Sequence, residues 1–396
     1  MKKTVVVLGL TTTLVATQAL AHEADVPRGI RPLDHVFLIM MENHGADEIL
    51  NNANAPFING YAKSANLATN YWAVGHPSLT NYLEVVGGSN FGVTDDFWPN
   101  WKHGGCVDNA PGSTGCVDAI TPLSGNGMDV ANPLTVDPTT DPQIGPQPGP
   151  AVPNNWSIIA YPPAVYTAKT IADQLAATGR TWKSYQESLP AIVDGINYSD
   201  GLYSNLSPSS TWTAKTPTVQ KLYAVKHNPF VYFRDVQENR DPKMDLSHVV
   251  GFDGLDGLWA DLASGRVPNF AFIAPNQCND MHGAGGGNAF CGEDANLIQM
   301  GDAAVEKIVA AIKRSRSWRE GNNAIVLVWD ENDFTNAQNR VVLTVETNYA
   351  PNGKPSSRQY NHFSLTKTLE AGFGLPCLNH ACDASTKVMS DLFGGH

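Results

Sequence analysis

Three uninterrupted apolar runs punctuate the chain, and each ends in a cluster of polar residues. Val36-Phe-Leu-Ile-Met-Met41 gives way to Glu42, Asn43 and His44. Asn269-Phe-Ala-Phe-Ile-Ala274 leads through Pro275 to Asn279, Asp280 and His282, and Ala324-Ile-Val-Leu-Val-Trp329 runs straight into Asp330, Glu331 and Asp333. Short apolar runs without helical alternation predict strands covered on both faces, as in a parallel sheet.

Between these runs, helical spacing alternates with further strands. Ala55 to Ala62 reads as a short helix and Ala68 to Val74 as a strand. Leu79, Tyr82, Leu83 and Val86 recur at i, i+3, i+4 and i+7 before Gly87-Gly88, which predicts a helix starting at or beside Ser78. Thr167 to Thr178, Leu255 to Leu262, Asp302 to Arg314 and Ser364 to Ala371 read as helices; Thr181 to Glu187 and Phe230 to Phe233 read as strands. The alternation predicts an α/β fold with a mostly parallel central sheet and helices on both faces. Asp95 to Asn155 is rich in Pro, Gly, Asp and Asn with little periodicity, as in a long surface insertion. No repeat or domain boundary shows elsewhere, so residues 22–396 are expected to form one domain.

Composition narrows the setting. Of 396 residues, 42% are hydrophobic and 16% charged, the balance of a globular chain. Met1-Lys-Lys, an apolar stretch from Val5 to Leu10 and Ala19-Leu-Ala21 form the pattern of a secretory signal over residues 1–21, so the protein is expected to be periplasmic or secreted. No later apolar run is long enough to span a bilayer, so stable membrane insertion is not expected. Loss of Lys2 and Lys3 takes the formal net charge from −12 to −14. A chain this acidic lacks the basic face that general nucleic-acid binding needs, and an anionic substrate would need a metal to draw it in. The six cysteines fall into near pairs, Cys106 with Cys116, Cys278 with Cys291 and Cys377 with Cys382, which in an exported chain predict disulfides. Zinc ligation is the alternative, but it lacks any C-x-x-C spacing.

In open α/β sheets the chemistry collects beyond the carboxyl ends of the strands. If the three apolar strands are parallel neighbours, Glu42, Asn43, Asp330 and Glu331 converge, and a carboxylate-rich set of this kind holds a divalent cation. A helix beginning at Ser78 would put a hydroxyl among unpaired N–H groups, where phosphate oxygens are favoured. The plainer alternative for Ser78 is an N-cap.

These residues resemble a known family. M-E-N-H, A-P-F-I-N-G-Y-A, T-N-Y-W-A-V-G-H-P-S-L-T-N-Y-L, W-K-S-Y-Q-E-S, N-D-M-H-G, W-D-E, Y-N-H-F-S-L-T-K-T-L-E and M-S-D-L-F, in order from Val36 to Phe393, are similar to the phosphoesterase family of acid phosphatases and bacterial phospholipases C, within the alkaline phosphatase superfamily. The resemblance implies an alkaline-phosphatase-like three-layer sandwich. It further implies that Ser78 is a nucleophile, that Glu42, Asn43, Ser78, Asp330 and Glu331 bind one divalent metal ion, and that His282 and His362 contact the phosphoryl group or leaving oxygen. An oxygen-dominated set suits Ca²⁺, Mg²⁺ or Mn²⁺, and added histidine tilts it toward Zn²⁺ or Fe. Thr80 stands where the family often has proline.

The expected activity is metal-dependent hydrolysis of small phosphate monoesters through a phosphoserine on Ser78. A phospholipase C or other phosphodiesterase with the same centre is the alternative among enzymes. A non-catalytic exported binding protein is the alternative of another class, although such a protein would be expected to have lost the serine or a ligand.

Overall fold

The computed structural model describes residues 23–91, 121–123, 164–166, 168–189, 199, 222–237, 240–283, 291, 294–333 and 339–395. The expected signal segment, most of the Pro/Gly-rich stretch and the expected Cys106/Cys116 pair lie outside the described residues.

The strands in chain order are β1 (His35–Met41), β2 (Asn66–Ala68), β3 (Tyr71–Trp72), β4 (Thr121–Leu123), β5 (Ala164–Tyr166), β6 (Trp182–Gln186), β7 (Val249–Gly251), β8 (Phe270–Ala274), β9 (Asn323–Trp329), β10 (Leu343–Thr347) and β11 (Tyr360–Asn361). Seven make one sheet in the order β2-β10-β9-β1-β8-β6-β7. The three apolar runs are therefore adjacent, with β1 in the middle. Val36 stands opposite Phe270 on one side and Ala324 on the other, in parallel pairing. β6 and β7 extend the parallel set, and β10 runs antiparallel to β9 and β2. Val36 to Met41 are all fully buried. Each large side chain so removed from water contributes about 1.5–3 kcal/mol, which is why the run carries no polar alternation.

The helices are α1 (Ala46–Ile49), α2 (Pro56–Ser64), α3 (Ser78–Gly87), α4 (Ile171–Ala177), α5 (Arg234–Gln237), α6 (Leu258–Ser264), α7 (Asp294–Arg314), α8 (Arg316–Arg319) and α9 (His362–Phe373). Phe270 and Phe272 of β8 share one face, where they meet Phe373 of α9 and Tyr82 of α3. Side chains alternate along a strand, so Met41 falls on the opposite face, under α7. There Gly301 permits the close approach of helix to sheet: a Cβ would come within 2.5 Å of Met281 and 3.1 Å of Met41. Helix, sheet and helix thus form the three expected layers.

Some elements depart from expectation. Phe230 to Phe233 is not a strand but continues a 3₁₀ turn at Pro229–Tyr232. Pro229 fixes φ and supplies no N–H for a sheet, and the apolar run serves packing, with Phe230 against Trp182 and Phe272. The stretch from Ala68 to Val74 is split, because Thr69 bonds the Ser356 carbonyl through both N–H and Oγ1. The chain thereby leaves the main sheet, and β3 pairs with β11. α7 starts well before Asp302, its first turns hidden by the glycine in the apolar pattern. α6 begins only at Leu258, after Gly257, where a Cβ would lie 2.3 Å from the Asp253 carbonyl oxygen.

Candidate active site

The exits of β1, β8 and β9 are tied by backbone bonds. Glu42 N–H donates to the Asp280 carbonyl at 2.8 Å, and Asp330 N–H to the Met41 carbonyl at 2.9 Å. Asp330 Oδ1 accepts from the N–H groups of Asn43 (3.1 Å) and Glu331 (2.6 Å). Asn43 takes a left-handed conformation, φ 51°, which asparagine adopts more readily than most residues. Its N–H then faces the carboxylate that follows β9.

α3 delivers the serine to the same place. Pro77 occupies the cap position, and Ser78 is the first helical residue, beside it rather than at it. Thr80 bonds back to the Pro77 carbonyl through both N–H and Oγ1, so threonine closes the first turn where the family often has proline. Asn81 Oδ1 accepts from the N–H groups of Val74 and Gly75, while Nδ2 donates to the Gly75 carbonyl and to Glu331 Oε2. The asparagine three residues after the serine therefore fixes the approach to the helix.

Ser78 Oγ lies 3.1 Å from Glu42 Oε2 and 3.0 Å from Glu331 Oε1, and accepts from Lys226 Nζ at 3.2 Å. Its single proton serves one carboxylate at a time. His76 Nδ1 stands 2.8 Å from Glu331 Oε2 with both side chains buried. His227, also buried, lies between two carboxylates: Nε2 is 3.1 Å from Glu42 Oε1 and Nδ1 is 3.0 Å from Asp280 Oδ2. The Tyr82 ring stacks on it at 5.4 Å.

The structure thus gathers Glu42, Asn43, Ser78, Asp330, Glu331 and His282 around one point. His362 is the exception. Its Nε2 bonds the Asp330 carbonyl oxygen at 2.7 Å and its Nδ1 the Tyr71 hydroxyl at 2.9 Å. Both nitrogens meet protein groups, so His362 braces the turn after β9. Burial lowers its pKa to about 4, which keeps the ring neutral. In His282, Nδ1 faces the Gly283 carbonyl at 2.7 Å and Nε2 faces Lys226 Nζ at 3.0 Å, so Nε2 accepts from the ammonium.

Burial, with repulsion from Asp330, raises the Glu42 pKa well above the usual carboxylate range. Burial raises Asp330 likewise, with Glu331 beside it, and Asp280, with Glu42 beside it. Lys226 opposes the rise in all three. Burial first, then Lys226 and His282, hold His227 neutral. Crowded, desolvated carboxylates of this kind are stabilised by a dication at short range.

The donor set fits one. Asn43 Oδ1 and Asp330 Oδ2 are buried without a hydrogen-bond partner among the described residues, and unpaired buried oxygens are costly unless something coordinates them. With Glu42, Glu331 and Ser78 they form an oxygen-only set suited to a hard cation. Glu42, His227 and His282 also bring ligand atoms within 4.8 Å of one another, but there the Lys226 ammonium already faces His282 Nε2.

Sequence reasoning missed Lys226 and His227. Lys226-His227-Asn228-Pro229 sits beside the misread strand. The Asn-Pro pair was the available signal, since it marks a turn rather than a strand entry.

Cys278 and Cys291 form a disulfide across 13 residues, and Cys377 and Cys382 another across 5. The first bridge anchors the segment that carries Asp280 and His282. Replacing Cys278 and Cys291 together by serine is expected to cost about 3 kcal/mol, measured by denaturant unfolding; an unchanged midpoint would show that the bridge constrains nothing.

A parallel-centred α/β sandwich with a helix-borne serine among carboxylates at the strand exits defines a hydrolase-like architecture. A family model described as the Phosphoesterase family matches residues 48–376, and the chain belongs to that family. An acid phosphatase from Aspergillus fumigatus is 24% identical over 346 residues, covering 86% of this chain and 55% of the relative. The chain therefore spans little more than half of that protein. A phosphatidylinositol-3-phosphatase from Mycobacterium tuberculosis is 23% identical over 364 residues, covering 91% of this chain and 83% of the relative. Among solved structures, a protein in the alkaline phosphatase superfamily from Vibrio parahaemolyticus superimposes with a TM-score of 0.47 at 12% identity, covering 90% of this chain and 70% of that one.

Proposed function

We propose that this chain is an exported, metal-dependent acid phosphatase that hydrolyses phosphate monoesters through a phosphoserine on Ser78. The observation that carries the reading is the placement of Ser78 Oγ within about hydrogen-bond reach of Glu42, Glu331 and Lys226 at the start of a ten-residue helix. A serine hydroxyl is a weak nucleophile until its proton has somewhere to go; here two buried carboxylates are in reach.

In the first step Ser78 Oγ bonds phosphorus as the bond to the leaving oxygen breaks. The serine proton passes to Glu42 or Glu331, the bonding pair departs on the leaving oxygen, and the carboxylate then gives up that proton, relayed by water, to the leaving oxygen. In the second step water attacks the phosphoserine; one of its protons stays on the phosphate and the other returns to Ser78 Oγ. The positive end of the α3 dipole, where Ser78 opens the helix, favours the phosphoryl oxygens. A divalent cation held by Glu42, Asn43, Asp330 and Glu331 supplies Lewis acidity and neutralises phosphoryl charge when bound.

Two relatives support a monoester substrate by their names, acid phosphatase and phosphatidylinositol-3-phosphatase. Export is supported by the two disulfides among the described residues. No described helix is long and apolar enough to cross a membrane. An aryl phosphate is expected to turn over at least about tenfold faster than the corresponding bis-aryl phosphate, a difference of about 1.4 kcal/mol in barrier, and chelator is expected to remove that activity. Faster turnover of the diester would assign a phosphodiesterase, and activity unchanged by chelator would remove the metal from the scheme.

A further inference from the structure

Lys226 occupies a position that the carboxylate set does not account for. Its Nζ lies 3.2 Å from Ser78 Oγ and 3.0 Å from His282 Nε2. His282 Nδ1 faces the Gly283 carbonyl at 2.7 Å, so Nδ1 carries the ring proton and Nε2 is left to accept from the ammonium. An imidazole engaged in this way aims a cation. Lys226 is partly exposed, whereas Ser78, Glu42, His227, Asp330 and Glu331 are buried. The ammonium therefore stands at the open margin of the carboxylate cluster, in contact with the nucleophile.

We infer that Lys226 is a catalytic residue whose ammonium directs Ser78 Oγ and hydrogen-bonds the phosphoryl group, with His282 as its positioning residue; this rests on Ser78 being the nucleophile. Lys226 donates to a lone pair of Ser78 Oγ, so the serine's own proton points at Glu42 or Glu331. When that proton leaves, the oxygen keeps a compensating positive charge against it. A lysine ammonium is a compact charge with rotatable donors, so it follows the oxygen toward phosphorus. It also stands beside the Glu42, His227 and His282 group, so a fixed positive charge from the chain lies next to those ligand atoms.

The test compares the full chain with its Lys226→Ala variant by two measures, orthovanadate binding by calorimetry and kcat on an aryl phosphate, with metal content determined alongside. The variant is expected to lose about 10²–10³ in kcat, as for removal of one preorganised donor, and at least about tenfold in vanadate affinity, with metal content unchanged. Ethylammonium is expected to restore part of both, which a purely structural lysine would not allow. Vanadate affinity and kcat within about threefold of the parent, or a loss that tracks lost metal, would overturn the assignment. If Lys226→Ala does not fold, Lys226→Met keeps the apolar stem and decides the question by the same measures. A parent chain that binds vanadate through Lys226 but turns over no monoester would sink the phosphatase reading and uphold the lysine site; a parent that binds no vanadate overturns the lysine site.

Discussion

Ser78→Ala is expected to abolish turnover, with a fall in kcat of at least about 10⁴-fold, while metal binding stays within a few-fold of the parent. The hydroxyl is the proposed site of the covalent bond, and no neighbouring group replaces it: Thr80 Oγ1 is committed to the Pro77 carbonyl. The metal set survives, because Glu42, Asn43, Asp330 and Glu331 are held by other contacts. Asn43 N–H still meets Asp330, and Asn81 Nδ2 still meets Glu331. Stability should fall by only about 1 kcal/mol, the worth of one buried hydrogen bond. The measurements are single-turnover phosphorylation from a labelled aryl phosphate and calorimetric metal titration. Label retained on the variant's protein would move the nucleophile elsewhere, and a metal titration lost with the hydroxyl would make Ser78 a principal ligand.

The sheet was legible because burial on both faces leaves an unambiguous mark. β1, β8 and β9 carry apolar residues at consecutive positions, and chemistry gathers where such runs stop. That reasoning led to Glu42, Asp330 and Glu331, and the helical period after Ser78 led to the serine. Lys226 and His227 were not legible in the same way. They lie on a 3₁₀ segment, Val225–His227, whose apolar continuation through Phe233 imitates a strand, and only the three-dimensional path of the chain brings them under the end of α3. His362 reads differently again. Its motif pointed to the site, but a histidine beside a site holds it up as readily as it works in it, and Tyr71, which takes its second nitrogen, lies 291 residues away in sequence.

Asp330→Asn separates the metal's contribution from that of the fold. Asp330 Oδ1 accepts two backbone N–H groups, a task an amide oxygen performs equally well, so the turn after β9 should survive. The other oxygen, buried and unpaired, becomes an NH₂ group that ligates no cation. Metal affinity is expected to fall by at least about 100-fold, and activity with it. Stability without metal should move the other way. The folded pKa of Asp330 is raised by burial and by Glu331, so its proton is held more tightly in the folded chain than in the unfolded one. Folding is therefore penalised increasingly as pH climbs above the unfolded value near 3.8, until the folded group also ionises. The asparagine variant lacks this penalty. In chelator at neutral pH it should melt at or above the parent's temperature, whereas with saturating divalent metal the parent should melt higher, since only the parent gains binding energy. Melting curves for both proteins, with and without metal, are the measurement. If metal raises the two melting temperatures equally, the cation is not held through Asp330, and the proposed ligand set fails at its centre.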